Sequence, residues 1–266
     1  MANYFAGHYL KHQKEDHTLA IIVGKASSGD FLQIITNQQV FQYHNLKNCR
    51  ITRQGLSIHY PEVKGRIHYG PFLPLRYSIM GPFQYLPMQC NHKVISMKHT
   101  LRGSVLINGE TISFDGGMGY IEGDYGRSFP KEYLWLQCND FLEDLSIMVS
   151  IAHIPFLGLH FTGCICAITY KGREYRLGTY KGVKVILRSK TRLILSQGDY
   201  LLDIRLSPHL SHPLRSPKKG HMVGIIHESN CTKAIFQFYK KRKLIFKAKT
   251  HNCSYENNYL KSFLSL

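Results

Sequence analysis

Short alternations of apolar and polar residues run along almost the whole chain, and almost no stretch has the 3.6-residue apolar repeat of an amphipathic helix. Runs rich in Val, Ile, Thr, Tyr and Phe are separated by turn residues. For example, residues 18–24 precede a Ser-Ser-Gly-Asp turn. Asn108 and Gly109 lie between two such runs and give the strongest hairpin signal in the sequence. The pattern predicts an all-β protein with roughly eight or nine strands in each half.

Proline-containing segments interrupt this pattern, because proline has no N–H to donate to a neighbouring strand. Residues 73–86 are predicted to be irregular, and residues 207–220, with Pro208, Pro213 and Pro217, are predicted to be a long loop. The basic cluster at residues 240–243 lies between two strand-like runs, which predicts a solvated hairpin turn rather than a binding patch.

Residues 116–141 hold the only tryptophan of the chain and five glycines. Residues 118–124 read as a strand, on which alternate side chains share a face. Tyr120, Glu122 and Asp124 are therefore expected to point the same way.

Residues 133–141 read as a second strand with two different faces. The polar and aromatic face carries Tyr133, Trp135, Gln137 and Asn139. The opposite face carries Leu134, Leu136 and Cys138. The first face suits a cavity wall, where an apolar ligand meets a few fixed polar partners. A solvent-facing strand with large aromatic side chains is the alternative interpretation.

The run GYIEGDYGRSFPKEYLWLQCNDF resembles the signature of the tocopherol cyclase family, whose plant members carry Tyr, Glu, Trp-Gly, Phe-Pro, Trp and Gln-Cys-Asn at this spacing. The matching residues are Glu122, Gly126, Phe129, Pro130, Trp135, Gln137, Cys138, Asn139 and Phe141. Tyr125 replaces a family tryptophan, and Asp124 replaces an amide of the plant enzymes. Downstream, Pro-Leu-Arg-Ser-Pro at 213–217 and Gly-Val at 182–183 resemble two further family elements.

The resemblance implies two lipocalin-like antiparallel β-barrel or sandwich domains side by side. We place them at residues 1–144, including the signature, and at 145–266. It also implies an isomerase that cyclises a prenylated hydroquinone or related terpenoid to a chroman-type ring by acid catalysis. This reaction changes no oxidation state, so we expect no cofactor. A carrier that binds a lipophilic molecule without turnover is the alternative.

A cyclase of this type must protonate an alkene, and a carboxyl group in an apolar pocket can keep its proton because desolvation disfavours its charge. Glu122 is the expected acid, and Asp124 is the alternative. A salt bridge of these carboxylates to Arg127 or Lys131 is the structural alternative. Trp135 is expected to face the cation. The other expected substrate-binding residues are His99, Tyr120, Tyr133, Gln137 and Asn139, of which His99, Gln137 and Asn139 would hold the phenol oxygens.

The formal charge is +17, from 34 Lys and Arg against 17 Asp and Glu. No nucleic-acid-binding motif accompanies the charge, so we expect a lipophilic small-molecule substrate, possible contact with an anionic membrane surface, and no nucleic acid. The 15 histidines show no zinc-site spacing, and no metal is expected. Seven cysteines and the absence of a signal-peptide pattern predict reduced thiols and a cytoplasmic protein, which the positive charge would allow to work at a membrane periphery.

Overall fold

The computed structural model describes residues 3–156, 159–207, 210–259 and 263–264, and within these ranges the chain is all-β, as predicted. Two antiparallel sheets account for most of the residues. The described residues form no α-helix, only two short 3-10 helices at Gly81–Tyr85 and Thr179–Lys181. No helix in these ranges is long and apolar enough to span a membrane.

The first sheet contains ten strands from the first half of the chain. They are β1 (Phe5–Lys14), β2 (His17–Ala26), β3 (Gly29–Thr36), β4 (Val40–Tyr43), β5 (Cys49–Thr52), β6 (Gly55–His59), β7 (Val63–Tyr69), β8 (Cys90–Ile107), β9 (Glu110–Ser113) and β10 (Met118–Gly126). Their order is β4-β3-β2-β1-β10-β8-β7-β6-β5, with β9 paired to β8. The predicted hairpin between β8 and β9 is confirmed, since Asn108 and Gly109 both have the positive φ (50° and 88°) of such a turn.

The second sheet contains the remaining eleven strands. They are β11 (Tyr133–Cys138), β12 (Leu145–Phe156), β13 (Leu159–Tyr170), β14 (Arg173–Gly178), β15 (Lys184–Arg188), β16 (Arg192–Gln197), β17 (Tyr200–Ser207), β18 (His212–Lys218), β19 (His221–Lys240), β20 (Lys243–Asn257) and β21 (Phe263–Leu264). Their order is β14-β13-β12-β11-β20-β19-β17-β16-β15-β21, with β18 paired to β19. In the described residues, the end strands of neither sheet pair with each other, so the sheets form a sandwich-like arrangement rather than closed barrels.

The alternation pattern of the sequence does not predict all of the strands that the structure contains. β1, β4 and β7 were not predicted, and β18 occupies part of the predicted loop at 207–220. Pro213 and Pro217 are tolerated there because β18 pairs only with β19, so its outer edge needs no donor. Pro208 lies outside the described residues. The irregular segment 73–86 and the basic hairpin turn between β19 and β20 are confirmed.

The buried apolar residues form three clusters. The first sheet encloses one core that includes Leu10, Ile34 and Val105. The second sheet encloses another that includes Leu136, Ile204 and Phe236. The third cluster joins the two sheets and includes Tyr9, Met97 and Tyr120 from the first with Trp135, Met148 and Leu214 from the second. Burial of each large apolar side chain contributes about 2 kcal/mol to the free energy of folding. This contribution stabilises the core of each sheet and also the packing of one sheet against the other.

The family signature is the point where the chain passes from one sheet to the other. β10 belongs to the first sheet and β11 to the second, so the sheets change between Gly126 and Tyr133. The division into domains at residue 144 stays a prediction, but strand β11, which it assigned to the first domain, pairs with β12 and β20 in the second sheet. All six residues of β11 are buried, so the alternative interpretation of this segment as a solvent-facing strand is wrong. Tyr133 and Trp135 pack between the sheets, and the opposite face fills the second core.

Candidate active site

Glu122 is buried at the junction of the sheets, with 3% of its surface exposed. Its Oε2 atom accepts a hydrogen bond from the hydroxyl of Tyr120 at 2.5 Å, two residues away on the same face of β10. The indole Nε1 of Trp135 donates to the same oxygen at 3.3 Å from the second sheet. The change of sheets after β10 therefore brings the carboxyl and the tryptophan of the signature face to face.

His92 bridges the two signature carboxylates. It lies directly opposite Asp124 in the pairing of β8 with β10. Its Nδ1 atom forms a hydrogen bond of 2.8 Å with Asp124 Oδ1. Its Nε2 atom is 3.2 Å from Glu122 Oε2, close enough for an ion pair but outside hydrogen-bond geometry. Burial alone would lower the pKa of His92, but the charges of Glu122 and Asp124 outweigh burial and hold the pKa well above its ordinary value. His92 therefore lies between the two signature carboxyl groups, and their charges favour the protonated form of its imidazole ring.

The alternative of a salt bridge to Arg127 or Lys131 is not found. Among the ion pairs of the described residues, both signature carboxylates pair with His92. The only group of possible metal ligands in the same ranges is His92, Glu122 and Asp124, whose ligand atoms all lie within 4.8 Å of one another. Both imidazole nitrogens already face a carboxylate, so a metal ion would have to displace one of these contacts. The arrangement fits proton transfer better than metal binding.

A second pair of buried carboxyls lies beside the first, on the second sheet. Glu228 of β19 and Glu256 of β20 are directly opposite each other across the two strands. The hydroxyl of Tyr9 donates to Glu228 Oε1 at 2.6 Å, and the hydroxyl of Tyr133 donates to Glu256 Oε2 at 2.5 Å. Burial raises the pKa of Glu228 to about 7. Burial, followed by the charge of Glu228, raises the pKa of Glu256 well above its ordinary value.

A cavity of about 150 Å³ opens beside these groups. Its wall is mainly apolar and comes from both sheets, with Phe5, Phe31, Phe83, Phe129, Ile165 and Ile226 among the lining residues. Its volume is comparable to that of an apolar cavity that takes up one benzene ring. Arg215 and Pro217 of the downstream Pro-Leu-Arg-Ser-Pro element also line it, so two family elements distant in sequence meet at one cavity.

The structure brings five of the eight predicted site residues together. Four of them line the cavity: Glu122, Asp124, Tyr133 and Trp135. Tyr120 is fully buried and does not line the cavity, but its hydroxyl holds Glu122.

The other three predicted residues lie outside the cavity lining. His99 packs between Tyr69 and Phe72 in the first sheet. Asn139 is also buried. Its amide oxygen accepts a hydrogen bond from Gln13, and its amide nitrogen donates to Gly119 O at 2.8 Å. Gln137 is buried, and neither of its amide polar atoms has a partner in the described residues. A shared strand face does not mean a shared site, because the face of β11 extends past the end of the cavity.

Sequence reasoning missed four functional candidates: Tyr9, His92, Glu228 and Glu256. The sequence analysis places neither Tyr9 nor Glu256 on a strand, whereas they lie on β1 and β20. The available signal was the alternation in SYE at residues 254–256, which continues the strand pattern.

The chain matches the model of the tocopherol cyclase-like family over residues 31–256, and it belongs to this family. A comparison with curated protein sequences gives no match. Among solved structures, CghA has a TM-score of 0.60 at 7% identity, covering 96% of this chain and 88% of that chain. CghA crystallised with Sch210972 has a TM-score of 0.59 at the same identity and the same coverages. A candidate AttH from Nitrosomonas europaea has a TM-score of 0.54 at 11% identity, covering 97% and 92%. At these identities the structures share the fold.

Proposed function

We propose that the protein is an isomerase that cyclises a prenylated hydroquinone, or a related terpenoid, to a chroman-type ring. Membership of the tocopherol cyclase-like family supports a cyclase- or isomerase-like function. The observation that carries the proposal is the buried Glu122 of the family signature, which lines an apolar cavity opposite Trp135. The apolar wall fits a lipophilic substrate better than a charged one.

The cyclisation needs a proton at the alkene and a way to stabilise the tertiary cation that results. The aromatic rings of Trp135 and Tyr9, whose centroids are 5.1 Å apart, border the cavity and attract positive charge through their π faces. The phenol oxygen then closes on the cation and loses its proton. Glu122 and His92 lie beside the cavity as groups able to exchange a proton with the substrate, and Asp124 orients His92.

The route of the substrate is part of the same proposal. A prenylated quinol dissolves in membranes, and the formal charge of +17 favours contact with an anionic lipid surface. We therefore propose a cytoplasmic protein that works at the periphery of such a membrane.

Non-catalytic binding of a lipophilic molecule is the second candidate function. The mainly apolar cavity favours it, since uptake of an apolar ligand needs only this wall and no proton transfer. The two functions differ in the product: an isomerase returns a cyclised molecule, and a carrier returns the molecule that it bound.

The test is incubation with a prenylated hydroquinone in deuterated water, followed by mass spectrometry. The wild-type protein should give the ring-closed isomer with one deuterium on the carbon next to the new ring junction. Glu122→Gln keeps the shape of the side chain but cannot exchange a proton, so turnover should fall by roughly 10²–10⁴-fold. Glu110→Gln, at an exposed position on β9, is the matched control. Recovery of bound, unchanged quinol from the wild-type protein would favour the carrier.

A further inference from the structure

We propose that Glu228 and Glu256 form a carboxyl dyad that holds one proton between them, and that Glu256 delivers this proton to the substrate. The delivery step rests on the proposed function. The shared proton does not, because it follows from the surroundings of the two side chains.

The geometry of the dyad makes two charges unfavourable. Glu228 and Glu256 are direct partners on adjacent antiparallel strands, and like charges in this position repel each other. Glu228 is fully buried and Glu256 is 8% exposed. Glu228 Oε2 is buried without any hydrogen-bond donor from the described residues. A carboxylic acid on Glu256 supplies the missing donor, as in other carboxylate pairs that share a proton.

The side chains that donate hydrogen bonds to the dyad carry hydroxyl groups rather than positive charges. Tyr9 reaches Glu228 from the first sheet, and Tyr133 reaches Glu256 from β11. Ser254 Oγ lies 2.9 Å from the Tyr9 hydroxyl, within hydrogen-bond distance. None of the ion pairs found in the described ranges includes either carboxyl of the dyad.

Burial raises the pKa of Glu228, and the charge of Lys11 has a smaller, opposite effect on it. The ammonium of Lys11 donates at 2.5 Å to the carbonyl of Asn252, and burial lowers the pKa of Lys11. Glu122 adds a further negative charge that raises the pKa of both dyad members. The positive charge of His92 is directed at Glu122 and Asp124. One proton on the dyad therefore remains near neutral pH.

The two members of the dyad have different access to the substrate. Glu256 lines the cavity, whereas Glu228 is not part of its lining. Glu256 is therefore the catalytic acid, and Glu228 is a positioning residue that acts through it. After proton transfer, the Tyr133 hydroxyl remains bonded to the new carboxylate of Glu256.

Every proton of the step is accounted for, and exchange with solvent afterwards returns a proton to Glu256 and removes one from Glu122. The O–H bond of Glu256 breaks, and its proton forms a C–H bond with the electron pair of the alkene, which leaves a tertiary cation. A lone pair of the phenol oxygen forms the C–O bond, and the phenol proton goes to the carboxylate of Glu122. The hydrogen bonds from Tyr120 and Trp135 to Glu122 Oε2 hold this carboxyl group in place beside the cavity. In this assignment Glu256 is the acid and Glu122 is the base, whereas the sequence predicts Glu122 as the acid.

Infrared spectroscopy tests the shared proton without substrate. Near neutral pH, exposed carboxyls are ionised, so the wild-type protein should show a C=O stretching band of a protonated carboxyl that shifts in deuterated water. The band should disappear in the double variant Glu228→Gln, Glu256→Gln and remain in Glu110→Gln. A pH titration of the wild-type band gives the same information if the double variant does not fold. A wild-type spectrum without the band overturns the dyad.

Kinetics test the delivery step. Glu256→Gln should lower ring closure by roughly 10²–10⁴-fold with little change in quinol binding. Glu228→Gln removes the neighbouring negative charge, so the pKa of Glu256 should fall and the high-pH decline of kcat should move to lower pH. An unchanged profile, or full activity of Glu256→Gln, overturns Glu256 as the acid. If the band is present but the wild-type protein cyclises no quinol, the delivery step and the proposed function fail, while the shared proton stands.

Discussion

Two clusters of buried polar residues differ in what they can do. The carboxyl cluster lies between the sheets and consists of Glu122, Glu228, Glu256, Tyr9, Tyr120 and Tyr133. The histidine cluster lies within the first sheet and consists of His12, His99, Tyr69 and Ser96. Members of the carboxyl cluster line the cavity, and no member of the histidine cluster does.

Burial favours the uncharged form of both histidines of the histidine cluster, and three of their four ring nitrogens have hydrogen-bond partners; His99 Nε2 has none among the described residues. His12 Nδ1 lies 3.0 Å from Leu19 O, and His12 Nε2 lies 2.8 Å from the Tyr69 hydroxyl. His99 Nδ1 lies 3.0 Å from Ser96 Oγ. Burial lowers the pKa of His12 to about 4. Burial, with a smaller effect of His12, lowers the pKa of His99 to about 3. These histidines stabilise the fold in their uncharged form.

The carboxyl cluster differs because its ionisable groups face one another. Glu122 and Asp124 both contact His92, and Glu228 faces Glu256. Their protonation states therefore depend on each other, and a substrate in the cavity could exchange protons with them. Burial of an ionisable residue is common to both clusters, so burial alone does not identify a site. Ionisable groups that influence one another and lie beside a cavity are the better indication of a functional site.

The largest expected effect is on stability in acid, and it separates the clusters. His12 and His99 bind fewer protons when folded than when unfolded, so their contribution is present above pH 6.5 and is lost as the pH falls towards about 4. Each pKa unit corresponds to about 1.4 kcal/mol, so the loss should reach several kcal/mol. Urea unfolding at a series of pH values measures it. A double variant, His12→Asn with His99→Gln, should have a clearly flatter slope; an equal slope would contradict the assignment.

The second-largest expected effect is on the rate of turnover. His92→Gln removes the imidazolium between Glu122 and Asp124, and kcat should fall by roughly 10²–10⁴-fold, which corresponds to about 3–5 kcal/mol. His99→Gln should keep kcat within about threefold, because the cavity does not include it. Circular dichroism checks that both variants fold. Equal losses of kcat in the two variants would remove the functional distinction between the clusters.

As the pH rises from 4.5 to about 7, the contribution of the carboxyl cluster to stability should be lost. Glu228 binds more protons when folded, since its pKa rises from 4.5 to about 7, so its contribution is lost as the pH increases through this range. The expected decrease in the free energy of unfolding between about pH 5 and about pH 8 is about 3 kcal/mol. Glu256 and His92 act in the same direction, since their pKa values are also raised. Glu228→Gln should weaken this pH dependence, and a steeper dependence in the variant would contradict the prediction.

The smallest effect concerns a single hydrogen bond. Trp135→Phe keeps an aromatic ring against Tyr9 but removes the indole N–H that donates to Glu122. The loss should be about 1 kcal/mol, or roughly fivefold in kcat/KM. Steady-state kinetics of the variant measure it, with Phe83→Leu at the apolar wall as a control for simple changes of cavity shape. A loss as large as that of His92→Gln would show that Trp135 does more than orient the carboxyl.

Much of the fold could be predicted because alternation and turn residues are local. Asn108 and Gly109 adopt the positive φ values that their hairpin needs, and β11 has the two faces that its sequence shows. β18 could not be predicted from its prolines, since only the pairing pattern tells whether a strand has a free edge. β8 and β19 are single long strands of 18 and 20 residues, and bulges interrupt the pairing of β19 with β20.

The sequence by itself determined the all-β class, the family signature and the shared face of Tyr120, Glu122 and Asp124, because strand geometry alternates side chains within a few residues. Only the tertiary structure decided which partners these groups meet. His92 reaches Glu122 through the register of β8 with β10, and Glu256 lies opposite Glu228 through the register of β19 with β20. Such contacts join residues far apart in the chain, and a shift of one residue in either register would turn them to the other face of the sheet.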